Sequence, residues 1–193
     1  MTFTIPAKDT NAFLDKIAQE YAESNGFQIV ERLPSLCTGV YKAKKDEAIV
    51  VIKAISTRIK EASCPHGTEP INPIDIMKAM YLESVILESL KQTPNLPRLH
   101  SYQGPRNPGL LSFPELIAGR IPVTCILVRD YIDGRVMGKR NGNSFSRDFP
   151  LIENPDMLED VVHAIHSIGY ADLDLIPPNV VIDTQNRPYF IDL

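Results

Sequence analysis

The residues best suited to chemistry lie in the closing stretch, Gly169–Leu193. Asp172 and Asp174 stand in a polar loop bearing Pro177 and Pro178, and Asn179 follows. Val180–Ile182 and Tyr189–Ile191 are short β-branched and aromatic runs around the polar connection Asp183–Pro188, which predicts a β-hairpin. In an antiparallel hairpin the start of the first strand lies beside the end of the second. Asn179 and Asp192 are therefore expected side by side at the open end, with Asp174 on the loop entering the same corner. Two carboxylates and an amide oxygen make a site for a hard cation such as Mg²⁺.

A second pair of charges stands apart from the hairpin. Lys53 interrupts the apolar run Ala48–Ile55. It reads either as an edge-strand lysine that guards against aggregation or as a buried cation facing an anionic partner. Glu83 lies on an expected helix, Ile74–Leu90, three and four residues before Ile86 and Leu87 and seven before Leu90. That spacing puts it on or beside the apolar stripe, where a carboxylate needs a cationic partner. Lys53 is the candidate, whereas Glu88 reads as solvated. His163 and His166 share a helix at i, i+3, but no Glu-bearing signature surrounds them. Cys64 with His66 gives too few ligands for a metal.

The elements that must hold these residues follow from periodicity. Asp9–Asn25 predicts an amphipathic helix with Phe13, Leu14, Ile17, Ala18 and Tyr21 on one face and a stop at Asn25-Gly26. Phe27–Leu33, Val40–Ala43 and Ala48–Ile55 predict three strands in an antiparallel meander. Ser56–Asp75 reads as a loop, Leu96–Tyr102 as a strand, Gln103–Arg120 as a Pro/Gly-rich insertion and Ile121–Ile132 as a buried strand. Arg135–Leu151 reads as polar and irregular. Asn154-Pro155-Asp156 is a helix start for Met157–Ile168, which stops at Gly169.

Composition bounds the reading. The 193 residues are 44% hydrophobic and 23% charged, as in an ordinary globular protein of one domain or two small lobes. A net charge of −4 and no Lys/Arg run argue against nucleic acid as a partner. Three scattered cysteines, Cys37, Cys64 and Cys125, indicate neither a disulfide framework nor a zinc site, and read as reduced thiols. Met1–Thr10 has no apolar core of a signal peptide, and no apolar run approaches the ~20 residues of a membrane span. A cytoplasmic protein is expected, with the nucleus left open.

Taken together, the motifs resemble a eukaryotic-type protein kinase. Val40-Tyr41-Lys42-Ala43, Val50-Val51-Ile52-Lys53 and Glu83 on a helix resemble its small lobe. Leu127–Gly134 resembles the hinge. Ile165–Val180 is similar to the catalytic loop, with the family's Asp-to-Asn spacing from Asp174 to Asn179, and Ile191-Asp192-Leu193 looks like the start of the Asp-Phe-Gly motif. The resemblance covers Phe27 to the C-terminus. It implies an α+β fold, with an antiparallel-sheet small lobe and helix over 27–132, a partial large lobe over 133–193 and an N-terminal helical extension over 1–26. It also implies ATP and Mg²⁺. Lys53 would hold the α/β-phosphates and pair with Glu83. Asp174 would orient or deprotonate the acceptor hydroxyl, and Asn179 and Asp192 would ligate Mg²⁺. The backbone of Asp130, Tyr131 and Ile132 would meet adenine. Ser35 and Thr38 would face the phosphates.

Departures from the family are specific. Leu33, Ser35 and Thr38 stand where the phosphate loop has glycines, Pro34 removes an N–H, and only Gly39 is nearby. Asp172-Leu173 replaces His-Arg before Asp174, and Arg129 occupies the usually apolar gatekeeper position. The sequence ends one residue after Asp192, so truncation before the activation segment is expected. The helix Met157–Ile168 is then expected to expose apolar area that self-association or a protein partner would cover. Three readings follow: phosphoryl transfer to a protein or small-molecule hydroxyl, a pseudokinase acting as a nucleotide-binding or scaffolding module, or a shortened, truncated kinase-like product with no independent activity.

Overall fold

The computed structural model describes residues 10–35, 38–59, 72–105, 123–138, 140–141, 144–145, 156–171 and 176–193. Cys37, Cys64, His66, Asn154-Pro155 and the loop aspartates Asp172 and Asp174 lie outside them. The chain divides into two compact units, Met1–Tyr81 with His100–Asp130 and Leu82–Leu99 with Tyr131–Leu193.

In the first unit α1 (Thr10–Asn25) precedes a five-stranded sheet. Its strands are β1 (Gln28–Leu33), β2 (Gly39–Lys45), β3 (Ala48–Ser56), β4 (Leu99–Gln103) and β5 (Thr124–Asp130), in the order β1-β2-β3-β5-β4. The expected meander is present, with β1–β2 and β2–β3 antiparallel, and β3 pairs antiparallel with β5. α1 ends where Gly26 takes a φ of +74°, the left-handed turn that a glycine adopts without strain. Ala18, Tyr21 and Ala22 of α1 pack on Tyr41 and Ala43 of β2, Val50, Ile52 and Ala54 of β3, and Ile126 and Val128 of β5. Strand alternation sends Val51, Lys53, Ile55, Cys125, Leu127 and Arg129 to the other face, where they too are buried. Burial on both faces explains why Ala48–Ile55 reads as one apolar run. It also overturns the edge-strand reading of Lys53, because β3 is the central strand.

α2 (Pro73–Ser89) begins one residue earlier than expected. Asn72 caps it, its Oδ1 accepting from Ile74 N at 2.9 Å, with Pro73 at the first helical position. β4 begins at Leu99 rather than Leu96, because turns occupy the intervening chain and Asn95 has a φ of +68°.

The second unit contains β6 (Gly134–Val136), the short pair β7 (Arg140–Asn141) and β8 (Ser144–Phe145), α3 (Asp156–Ser167), β9 (Val180–Asp183) and β10 (Pro188–Phe190). Its sheet order is β10-β9-β6. Arg135–Leu151 is thus not wholly irregular: β6 reaches Val136 and β7–β8 lie within it. All three residues of β6 are exposed, so no apolar alternation marks it. The core joins Ile86 of α2, Val161 and Ile165 of α3, Val180 and Phe190. On α3 Val161 and Ile165 are buried, and Leu158 and Val162 pack partly buried against the same core. No helix among the described residues is long and apolar enough to cross a membrane.

Asn95 closes the outer edge of β10. Its Nδ2 donates to Pro188 O at 2.6 Å, its own carbonyl accepts from Phe190 N at 3.2 Å, and it is 5% exposed. Asn95→Ala leaves the Pro188 carbonyl buried without that donor and is expected to cost about 1–3 kcal/mol. A urea midpoint equal to the parent's would contradict this.

Candidate functional site

The closing hairpin forms as its sequence predicts. Phe190 pairs with Val180, Tyr189 with Val181 and Pro188 with Ile182. Pro188 sits in the strand rather than the turn, at its first position, where proline is tolerated. One step beyond the ladder, Ile191 N donates to Asn179 O at 2.9 Å. Asn179 closes a 3-10 turn, Pro177–Asn179, and Asp192 directly follows Ile191. The backbone therefore brings Asn179 and Asp192 to one corner, Asn179 half-buried and Asp192 exposed.

The far end of the hairpin is locked by Asp183. Its Oδ1 accepts from Gln185 N at 2.8 Å and Arg187 N at 2.9 Å, and its Oδ2 from Arg187 Nε at 2.8 Å. Burial alone would raise this carboxyl. Hydrogen bonds from the Arg187 backbone and side chain and the Gln185 backbone outweigh it and hold the pKa below the ordinary 3.8. A depressed folded-state pKa stabilises the fold above the ordinary value, and that contribution is lost as pH falls towards the folded-state value. The melting temperature should therefore drop below about pH 4. Asp183→Asn, which cannot titrate, should have a shallower acid limb; parallel limbs would refute the assignment.

Each remaining candidate is placed by its own unit. Lys53, 5% exposed, is on β3 opposite Val40 of β2 and Leu127 of β5. Glu83, 3% exposed, is on α2. Both are engaged in interactions with their surroundings. The expectation that Glu83 is buried despite its charge is met. Ser35 and Thr38 flank the β1–β2 connection, and their hydroxyls hydrogen-bond each other at 2.8 Å. Asp130 ends β5, its Oδ1 2.7 Å from His100 Nε2. Tyr131 and Ile132 continue from it as non-strand backbone. His100 is an addition that sequence reading missed, since no local pattern links residues 30 positions apart. His163 lies 3.5 Å from Glu159, and both are exposed. Cys125 is a buried free thiol whose pKa burial pushes up to about 11, in keeping with a small apolar packing role.

Among the described residues no group of three or more His, Cys, Asp or Glu could hold a metal ion. The corner of Asn179 and Asp192 offers one amide oxygen and one carboxylate. That donor set fits Mg²⁺, which keeps waters and substrate phosphates for its remaining positions, rather than a metal needing a full protein cage.

The antiparallel five-stranded sheet, the helix carrying Glu83 and the hairpin bearing Asn179 and Asp192 make a mixed fold of the kinase-like kind. In structure the chain is similar to the kinase PK-1 of the Cydia pomonella granulovirus, with a TM-score of 0.56, 17% sequence identity and 92% of this chain covered. It spans 57% of the length of that chain. No family model matches the sequence, and no curated protein does.

Proposed function

We propose that this chain is a kinase-like phosphotransferase that, with ATP and Mg²⁺, moves a phosphoryl group to a hydroxyl of a protein or small molecule. The observation that carries the reading is the hairpin corner, where the Ile191–Asn179 backbone bond sets Asp192 beside Asn179. Lys53 would hold the α/β-phosphates and pair with Glu83. Ser35 and Thr38 would face the phosphates, and the Asp130–Ile132 backbone would meet the adenine. Asp174 would orient the acceptor hydroxyl. Mg²⁺, when bound by Asn179 and Asp192, supplies charge neutralisation across the phosphates. Such transfer needs positioning and electrostatics more than covalent chemistry. The test is thermal-shift titration with ATP, with and without Mg²⁺. A nucleotide at a hundred times its Kd should stabilise the fold by about 2.7 kcal/mol. No shift at millimolar ATP with Mg²⁺ would end the reading.

One observation favours a second reading, a pseudokinase that binds nucleotide or scaffolds a protein partner without catalysis. Pro34 and the mutual hydrogen bond of Ser35 and Thr38 stand where a glycine-rich cradle would offer free backbone N–H groups. Binding without transfer of labelled phosphate to generic acceptors would select it.

A further inference from the structure

The β1–β2 connection is where the proposed function puts the phosphates, and the inference rests on that reading. Side chains from α1 tie the base of this connection together. Asp15 Oδ1 accepts from the Tyr41 hydroxyl at 2.7 Å and from Arg32 Nη1 at 3.0 Å. Arg32 Nη2 donates to Asn11 Oδ1 at 2.7 Å, and its guanidinium lies 5.7 Å from the Tyr41 ring centroid. Arg32 and Tyr41 are register partners across β1 and β2. A single carboxylate from α1 therefore grips both strands at one rung. The next rung, Leu33 with Val40, is the last before the connection.

The re-entry of the chain into β2 is packed against the same spot. A Cβ on Gly39 would stand 2.7 Å from the Tyr41 hydroxyl oxygen and 3.1 Å from Leu14 Cβ of α1. Tyr41 is 2% exposed, so its ring cannot swing away into solvent. Asp15 and Arg32 are partly exposed, at 51% and 33% of their side chains. Exposed ion pairs add little to global stability. A strap at one rung fixes geometry instead, and the geometry it fixes is the approach of Ser35 and Thr38.

We propose that α1 is a positioning element for nucleotide phosphate, acting through Asp15 on the Arg32–Tyr41 rung. Asp15 touches neither nucleotide nor metal. In the full chain, Asp15→Ala should weaken Mg²⁺-ATP binding roughly two- to thirty-fold, the span of couplings carried by residues outside a ligand site. Asp15→Ala leaves the hydroxyl of buried Tyr41 without its acceptor and should also lower the melting temperature without nucleotide, whereas Tyr41→Phe leaves no buried hydroxyl behind and should keep it close to the parent's. Asp15→Glu should recover part of the affinity. Tyr41→Phe, which keeps the buried ring, should reproduce the loss, and the double variant should lose less than the two losses combined. Unchanged affinity in both single variants overturns the proposal. So does an affinity loss in Tyr41→Phe that merely tracks a fall in that variant's melting temperature. A parent chain that itself binds no Mg²⁺-ATP overturns the proposed function first and this role with it. The parent titration thus separates the two failures.

Discussion

If the chain transfers phosphate as proposed, Lys53→Ala should lower that transfer by about 10²–10³-fold, the loss seen when one preorganised electrostatic group is removed from a transition state. Lys53 is 5% exposed on the central strand, where its ammonium acts in a medium that screens charge poorly. Alanine also removes a buried cation, so the melting temperature without ligand will move as well. The decisive quantity is the ATP-induced shift, which should shrink in Lys53→Ala. In Asp192→Ala the Mg²⁺ dependence of that shift should vanish while apo stability changes little, because Asp192 is exposed. An ATP-dependent shift and transfer rate that survive both substitutions would show that these residues do not form the site.

Gly134→Ala should destabilise the second unit markedly. Gly134 pairs with Asp183 at the end of the β6–β9 ladder. A Cβ there would drive into the Ile182 carbonyl, with the carbonyl carbon at 2.8 Å and Asp183 Cα at 2.9 Å. The obstacles are backbone atoms, so no rotamer change relieves them. β6 must lift off β9, the strand that leads directly from Asn179. A loss of about 1–3 kcal/mol is expected, the usual cost of forcing a group into filled space. Weaker Mg²⁺-dependent nucleotide binding should accompany it. Denaturant unfolding and the thermal-shift titration measure the two effects, and a parent-like midpoint would show that the strand pair tolerates a side chain.

What the sequence discloses is what local rules control. The hairpin was legible because two apolar runs bracket a polar turn, and its antiparallel geometry then forces Asn179 next to Asp192. α1 is legible from periodicity and its Asn25-Gly26 stop, α3 from its Asn154-Pro155-Asp156 start and its stop at Gly169, and both glycines take positive φ. Glu83 could be placed in the interior because its spacing to Ile86, Leu87 and Leu90 follows the helical repeat. Less was legible where tertiary context decides. Lys53 could be an edge or a central residue until β5 was found on the far side of β3. β6 to β8 are two or three residues long, too short for alternation to mark them. The Asn72-Pro73 start of α2 carries the same signature as Asn154-Pro155 and could have been read from it. The Asp15–Tyr41 and His100–Asp130 pairs join residues 26 and 30 positions apart, where no sequence period reaches.

The two units are interleaved along the chain, with the boundary inside α2 between Tyr81 and Leu82. Neither can be completed during synthesis before chain belonging to the other has been made. β3 must wait for β5, and Ile86 must wait for Phe190. Helix formation is cooperative, so fraying one half of α2 removes support from the other. Kinetically, this topology exchanges early local closure for late, long-range assembly, which slows folding. A single denaturant transition, seen alike by probes in both units, is the corresponding expectation at equilibrium.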